Sequence, residues 1–153
     1  MPTHYKGSPE EERALSAFIN FLRAADSIVA RLDSQIEMGG LTRGQFAVLE
    51  ALLHLGPLNQ CDLARKLLRS GGNLTVVIDN LEKRRLVRRE RQKDDRRMVV
   101  VRLTRAGRRL IVRIFPQHAA AITAEMGCLS PEEQETLRAL CRKLGLGTAA
   151  PVP

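Results

Sequence analysis

Apolar residues recur at helical spacing along most of the 153-residue chain. The longest run extends from Leu15 to Ile36. Shorter runs follow at about residues 46–53, 63–68, 74–81, 110–122 and 137–144. Because residues three and four positions apart share one face of a helix, these runs predict a set of amphipathic helices.

Two short segments have a different pattern. At about 87–92 and 98–103, β-branched residues cluster around the charged turn Lys93-Asp94-Asp95-Arg96-Arg97, which predicts the two strands of a hairpin. A short helix, a turn with glycines, a second helix and a hairpin follow one another in the order of a winged helix-turn-helix. We therefore predict a mainly α (α+β) fold with a two-stranded β-hairpin wing, in a single domain covering residues 1–153.

The starts of the helices can be read from capping residues. A hydroxyl, a proline and a carboxylate occur in the order of a capping box in Ser8-Pro9-Glu10-Glu11 and again in Ser130-Pro131-Glu132-Glu133. Three further N-caps are predicted at Thr42, with Gln45 as its reciprocal partner, at Asn59 and at Thr104. The residues after 145 are rich in Gly, Ala and Pro, and we expect the tail 146–153 to be disordered.

Positive charge is concentrated in one part of the chain. The net charge is +8, and thirteen of the 25 Lys and Arg residues lie between Arg84 and Arg113. This balance suits an anionic partner such as DNA. No apolar run approaches the length of a membrane span and the N-terminus lacks a signal sequence, so we expect a cytoplasmic protein. Three cysteines are too few for a disulfide framework or a zinc site, and no catalytic, metal or cofactor signature is present, so we predict no enzyme.

The segment from Asn59 to Arg85 has the layout of a helix-turn-helix with a recognition helix. If its leucines and isoleucine face the core, the helical period turns the polar residues outward, where they are sized for base edges and phosphates. The predicted contacts of this helix are Gly72, Asn73, Thr75, Val76, Asp79 and Lys83. Alternatively, these residues form a solvated helix face.

The hairpin supplies a second set of candidate contacts. Arg96 and Arg97 lie at its tip, where an arginine can enter a minor groove, and Asp95 is assigned the structural role of holding the tip in shape. Phosphate contacts are predicted for Arg84, Arg85, Arg88, Arg89, Arg91 and Lys93. The alternative is a solvated, charged hairpin.

These residues together resemble the MarR family of winged-helix regulators. The similarity rests on several weak fragments in a specific order and spacing, from about Leu41 to Gly107. They are Leu41-Thr42-x-x-Gln45-Phe46, Gly56-Pro57-Leu58-x-Gln60, Asn73-Leu74-Thr75, Leu81-Glu82-Lys83-Arg84-x-Leu86-Val87-x-Arg89, Asp95-x-Arg97 and Val101-x-Leu103-Thr104-x-x-Gly107. The second fragment is similar to the short first strand of the family, a strand that alternation alone does not predict.

The resemblance implies a DNA-binding part at about 41–104 and a homodimer built from terminal helices at about 9–37 and 105–145. It further implies a pseudo-palindromic double-stranded DNA operator and a repressor that is released by a small aromatic or phenolic effector. The pocket would lie between the first, second and fifth helices. Its candidate lining residues, each of which could instead be a core or surface residue, are Phe21, Met38, Phe46, His54 and His118.

Cys61 lies in the first turn of the predicted third helix, a position that favours a reactive thiolate, so a redox role is possible for it. We expect instead a buried and inert cysteine, because free cysteine is among the most often buried residue types. We predict a sequence-specific, dimeric transcriptional regulator that binds double-stranded DNA and needs no cofactor. The competing function is a nonspecific architectural protein that uses the same basic surface to bind nucleic acid.

Overall fold

The computed structural model describes residues 4–35, 39–67, 71–91 and 99–147. These residues form a mainly helical fold with a small antiparallel sheet. The helices are α1 (Pro9–Gln35), α2 (Arg43–Leu55), α3 (Gln60–Lys66), α4 (Gly71–Lys83), α5 (Arg105–Met126) and α6 (Pro131–Leu146). The strands are β1 (Leu58–Asn59), β2 (Val87–Arg91) and β3 (Val99–Leu103).

The predicted helix starts are confirmed by their capping hydrogen bonds. Oγ of Ser8 accepts a hydrogen bond from the amide of Glu11 at 3.2 Å, and the Glu11 carboxylate accepts one from the Ser8 amide at 2.8 Å. Reciprocal capping boxes also begin α2 at Thr42 and α6 at Ser130. Asn59 caps α3. Each cap satisfies amides that the helix itself leaves without a partner.

The sheet has three strands in the order β1-β3-β2, all antiparallel. The hairpin of β2 and β3 is confirmed, with Val87 opposite Leu103 and Arg91 opposite Val99. The prediction of strands only at about 87–92 and 98–103, made from clusters of β-branched residues, is wrong in their number, because Leu58 and Asn59 also pair with Val101 and Val100. Two residues are too short to show a period of two, so this strand is formed by pairing with β3 rather than by a local pattern.

The chain divides into two compact units. We call residues 35–118 the winged-helix unit and residues 1–34 with 119–153 the terminal-helix unit. All the buried apolar side chains of the described residues lie in the winged-helix unit, between Leu41 and Ile114. Those with no measurable exposure are Val48, Leu49, Leu63, Leu74, Ile78, Leu81 and Ile111.

A close backbone approach joins the end of α4 to the start of α5. The Thr104 hydroxyl donates a hydrogen bond to the carbonyl of Arg85 at 2.7 Å and accepts one from the amide of Gly107 at 3.0 Å. A Cβ atom on Gly107 would lie only 1.9 Å from the carbonyl oxygen of Leu86. Glycine is therefore required at this position because no side chain fits against the Leu86 backbone.

The terminal-helix unit has no buried residue among those described. Within it, the Arg31 guanidinium pairs with the Glu125 carboxylate at 2.7 Å. Its large apolar side chains are exposed on α1, α5 and α6, namely Leu15, Phe18, Phe21, Leu22, Ile122, Leu137, Leu140, Leu144 and Leu146. The expected tail from residue 146 starts too early, since Leu146 ends α6 and Gly147 caps it, while residues 148–153 lie outside the described part.

Candidate DNA-binding surface

The recognition helix α4 presents one face to the core and one to solvent. Leu74, Ile78 and Leu81 have no exposed surface, and they anchor the helix in the winged-helix unit. On the other side, Asn73 and Lys83 are exposed and Val76 is 59% exposed. Gly72 lies in the first turn of α4, where backbone amides have no partner inside the helix.

Two of the predicted base contacts are hydrogen-bonded within the protein. Nε2 of Gln60, at the start of α3, donates a hydrogen bond to Oγ1 of Thr75, and Thr75 is half-buried. Oδ1 of Asp79 accepts a hydrogen bond from Nη2 of Arg89 at 2.6 Å. The Thr75 side chain therefore connects α4 to α3, and the Asp79 side chain connects α4 to β2.

Arg89 of β2 makes the densest set of polar contacts on this surface. Its guanidinium pairs with Asp79 and with Glu82, each at 2.6 Å. Its backbone amide also donates to the Glu82 carboxylate at 2.9 Å. Partial burial disfavours the charge of the guanidinium, but the hydrogen bonds and charges of Asp79 and Glu82 outweigh it and raise the pKa of Arg89. The side chain is therefore a fixed cation.

The other arginines predicted to contact phosphates fall into two groups. Arg84 donates to the Gly40 carbonyl at 2.8 Å and to Gln45 at 3.3 Å, so its guanidinium serves the fold. Arg88 pairs with Glu90 at 2.5 Å. Arg85 and Arg91 are exposed, and neither side chain has an ion pair to another described residue.

The predicted tip of the wing cannot be placed on this surface. Lys93, Asp95, Arg96 and Arg97 belong to residues 92–98, which lie outside the described part of the chain.

Known proteins with this arrangement are transcriptional regulators. A model of the MarR family matches residues 41–99, which include α2 to β2. The HTH-type transcriptional regulator MhqR of Bacillus subtilis (strain 168) is 38% identical over 137 residues, which are 88% of this chain and 93% of MhqR. The chain belongs to the MarR family.

Solved structures agree with this assignment. A structure of BpsR from Bordetella bronchiseptica, in work on the regulation of its DNA binding by 6-hydroxynicotinic acid, has a TM-score of 0.76 and 29% identity over 84% of this chain and 98% of BpsR. The MarR-family regulator Sco3205 of Streptomyces coelicolor, solved in complex with DNA, has a TM-score of 0.81. At 24% identity over 96% of this chain and 93% of Sco3205, that likeness shows the fold. As a MarR-family protein, this chain is a DNA-binding transcriptional regulator.

The effector candidates of this MarR-family chain fall in different parts of the structure. Phe46 is buried in α2, and its ring lies 4.5 Å from that of His118 on α5. His54 is exposed near the end of α2, with its ring 4.8 Å from that of Phe115. Phe21 is 44% exposed and belongs to the terminal-helix unit. Met38 lies outside the described residues.

Two features distinguish the aromatic cluster of Phe46, His54, Phe115 and His118. Nδ1 of His118 is buried without a hydrogen-bond partner among the described residues. An open groove of about 350 Å³ also runs beside His54 and Leu55, lined further by Ala47, Glu50, Ala51, Lys66 and Leu67. Phe115 was not predicted as a site residue, although its position three residues before His118 on α5 was a signal for it.

Cys61 is exposed on α3, so the expectation of a buried cysteine is wrong. The seven-residue helix α3 is short, and its apolar face is supplied by Leu63, which leaves the neighbouring Cys61 on the outer side. Among the described residues, no cluster of His, Cys, Asp or Glu could hold a metal ion, and no helix is long and apolar enough to cross a membrane.

Gln60 and Glu82 are the polar residues of this surface that sequence reasoning missed. Gln60 follows the cap Asn59, and Glu82 lies next to the predicted contact Lys83. Both belong to fragments of the family resemblance, but neither was predicted as a site residue, because their partners Thr75 and Arg89 are distant in sequence and contact them only in the folded chain.

Proposed function

We propose that this protein is a homodimeric, sequence-specific repressor that reads a pseudo-palindromic operator and leaves it when a small aromatic or phenolic effector binds. The observation that carries the proposal is the outer side of α4. There, Asn73 and Val76 are exposed on a helix that is anchored by fully buried residues. An amide side chain suits adenine and a small apolar one suits the thymine methyl group.

Phosphate contacts complete the proposed interface. The amides of the first turn of α4, near Gly72, favour a phosphate because they have no partner inside the helix. Lys83, Arg85 and Arg91 are exposed cations that add affinity without sequence information. At the wing tip we retain Lys93, Arg96 and Arg97 as proposed contacts and Asp95 as a structural residue. Arg97→Ala should weaken operator binding strongly and leave the melting temperature nearly unchanged.

Dimerisation is assigned to the terminal-helix unit. Its exposed leucines and phenylalanines on α1 and α6 have no cover among the described residues of that unit. Large exposed apolar patches are uncommon on monomeric proteins. A second copy of the chain would cover them and would place two winged-helix units on successive half-sites, the arrangement that a pseudo-palindrome requires.

The effector is proposed to contact the aromatic cluster of the winged-helix unit. The buried, unpartnered Nδ1 of His118 beside the ring of Phe46 suits a flat aromatic molecule with a hydrogen-bonding group. The regulation of BpsR by 6-hydroxynicotinic acid supports a hydroxylated aromatic acid as the first class to test. Titration of the protein–operator complex with such acids should release the DNA, and His118→Ala should weaken that response.

The decisive experiment is selection of bound sequences from random duplex DNA at two salt concentrations. An inverted repeat with half-sites about 34–36 Å apart is the expected result. Binding without an enriched motif, together with a steep loss of affinity in high salt, would instead establish the architectural function. The proposal includes no catalytic activity and a cytoplasmic location, so incubation of DNA with the protein and Mg²⁺ should leave the DNA intact.

A further inference from the structure

Arg89 occupies an unusual place for a residue of a basic wing, because both terminal nitrogens of its guanidinium and its backbone amide contact the recognition helix. Its guanidinium pairs with Asp79 and Glu82 at 2.6 Å each, and its amide donates to Glu82 at 2.9 Å. Three polar contacts therefore connect one residue of β2 to two residues of α4. We call this set of residues, Arg89 with Asp79 and Glu82, the wing brace.

The strand order explains why the brace lies where it does. In the sheet β1-β3-β2, strand β2 is at the edge and, among the described residues, pairs only with β3. Alternate amides of an edge strand point away from the sheet and lack a partner. The Glu82 carboxylate of α4 accepts a hydrogen bond from the outward amide of Arg89, so this amide has a partner at the edge of the sheet.

The wing brace places one positive charge between two negative charges, an arrangement that does not favour a phosphate. One guanidinium with five donors meets two carboxylates, and the Arg89 side chain is only 26% exposed. A phosphate would have to compete with both carboxylates and would be repelled by them. Asp79, for its part, already accepts a hydrogen bond from Arg89 through Oδ1, and this contact holds its carboxylate toward β2.

We propose that Arg89 is a positioning residue, which holds the wing at a fixed place relative to the recognition helix, and that Asp79 and Glu82 anchor it instead of reading bases. This proposal rests on the proposed DNA-binding function and deepens it. Specific recognition needs α4 and the wing to reach their grooves together, whereas nonspecific binding tolerates a loose wing. The brace should therefore affect the preference for the operator more than the affinity for DNA in general.

The test compares two arginines of the same strand in the full-length protein. Arg89→Gln removes the brace, and Arg91→Gln removes an exposed cation that has no ion pair to another described residue. The affinity for the selected operator and for a scrambled duplex is measured for each variant over a series of salt concentrations. The slope of log K against log salt reports the number of phosphates contacted, at about 0.9 for each.

Arg89→Gln should weaken operator binding by roughly tenfold to a hundredfold, as expected for lost charged hydrogen bonds. Its affinity for the scrambled duplex and its salt slope should stay close to those of the wild type. Arg89→Lys should weaken operator binding similarly, because an ammonium group lacks the planar set of donors with which a guanidinium binds two carboxylates. If Arg89→Gln instead weakens both duplexes equally and lowers the slope by about 0.9, Arg89 contacts a phosphate and the proposal is wrong.

A double-mutant cycle tests whether Asp79 acts through Arg89. Adding Asp79→Asn to Arg89→Gln should change operator affinity by no more than about twofold, because the two residues act as one unit. If the losses of the two single variants simply add, the residues act independently and the proposal fails. It also fails if selection with Asp79→Asn recovers a changed base at one operator position, since Asp79 would then read that base.

A measurement without DNA separates the brace from the proposed function. Amide hydrogen exchange at position 89 should be about tenfold faster in Arg89→Gln than in the wild type, because Glu82 loses the partner that holds it against β2. Unchanged exchange would overturn the brace even if the wild type reads an operator. Faster exchange in a protein that shows no operator preference would support the brace and leave the proposed repressor function to fail separately.

Discussion

The two units of this chain are built from similar amphipathic helices but differ in what those helices bury. All fifteen buried apolar residues among those described lie between Leu41 and Ile114, in the winged-helix unit. The terminal-helix unit has none, and on α6 Leu140 is 55% and Leu144 is 69% exposed. An apolar stripe thus indicates that the helix packs against another apolar surface, but it does not indicate which surface that is.

The difference has a physical consequence for the roles of the two units. The core of the winged-helix unit includes buried residues of α2, α3, α4, α5 and the sheet, so this unit can hold α4 in place by itself. The apolar side chains of the terminal-helix unit would cost about 25 cal/mol for each Å² left in water. This cost favours a second copy of the chain that buries these side chains. Measurements of dimerisation therefore test the difference between the two units.

The largest expected effect comes from the closed core. Leu49→Ala in α2 removes a side chain with no exposure, and it should lower the free energy of unfolding by about 2–5 kcal/mol. Chemical denaturation of the full-length protein measures this loss. The matched variant Leu144→Ala on the exposed face of α6 should cost much less in dilute solution, where the proposed dimer would dissociate. Equal losses under those conditions would mean that the two units are not different.

The second largest expected effect concerns the exposed apolar face of the terminal-helix unit. Leu140→Glu places a charge on the exposed apolar face of α6 and should weaken dimerisation by about 2 kcal/mol or more, roughly thirtyfold in Kd. Sedimentation or light scattering over a concentration series measures it. Arg142→Glu, two positions along and on the opposite side of α6, serves as the control. A Leu140→Glu protein that dimerises like the wild type would rule out this face as the interface.

A third variant acts on DNA recognition and leaves both units intact. Asn73→Ala should reduce operator affinity by about 1–3 kcal/mol through the loss of a bidentate base contact, with little change in melting temperature. Lys83→Ala is the contrasting variant, since loss of a phosphate contact should weaken operator and scrambled duplexes alike. Binding that is unaltered in Asn73→Ala would remove that residue from the proposed base contacts.

The smallest effect concerns the junction between α4 and β2. Arg85 has a φ of +57°, the only positive φ of a non-glycine residue among those described, and this conformation is strained for a residue with a Cβ atom. Arg85→Gly should raise the free energy of unfolding by roughly 0.5–1 kcal/mol, because relief of strain exceeds the entropy that glycine adds to the unfolded chain. Arg85→Ala should give no such gain, and thermal melting of the two variants checks the difference.

Much of the local structure was predictable because its causes are local. Thr42 with Gln45 and Ser130 with Glu133 form the expected capping boxes, since the bonded groups are three residues apart. The outward position of Asn73 and Val76 on α4 also agrees with the helical period. Their contact with DNA stays a prediction, as do the roles of the wing-tip residues.

Other features depend on residues that are far apart in the sequence. The hydrogen bond of Gln60 with Thr75, the ion pair of Arg89 with Glu82 and the hydrogen bond of Arg84 with the Gly40 carbonyl each join separate segments of the chain. A count of arginines cannot separate an exposed cation such as Arg91 from one neutralised by carboxylates such as Arg89. The concentration of arginines in the sequence therefore does not show which of them pair with carboxylates, and their phosphate contacts stay a prediction.

Sequence alone determined where the helices begin, which segment forms the hairpin and which family the chain belongs to, because capping, periodicity and motif spacing act over a few residues. Only the tertiary structure decided which apolar faces are covered and which polar residues remain available on α4 and β2. Burial and ion pairing require two surfaces to come into contact. In this chain such contacts, for example that of Gly107 with the Leu86 backbone, join residues that are brought together by folding.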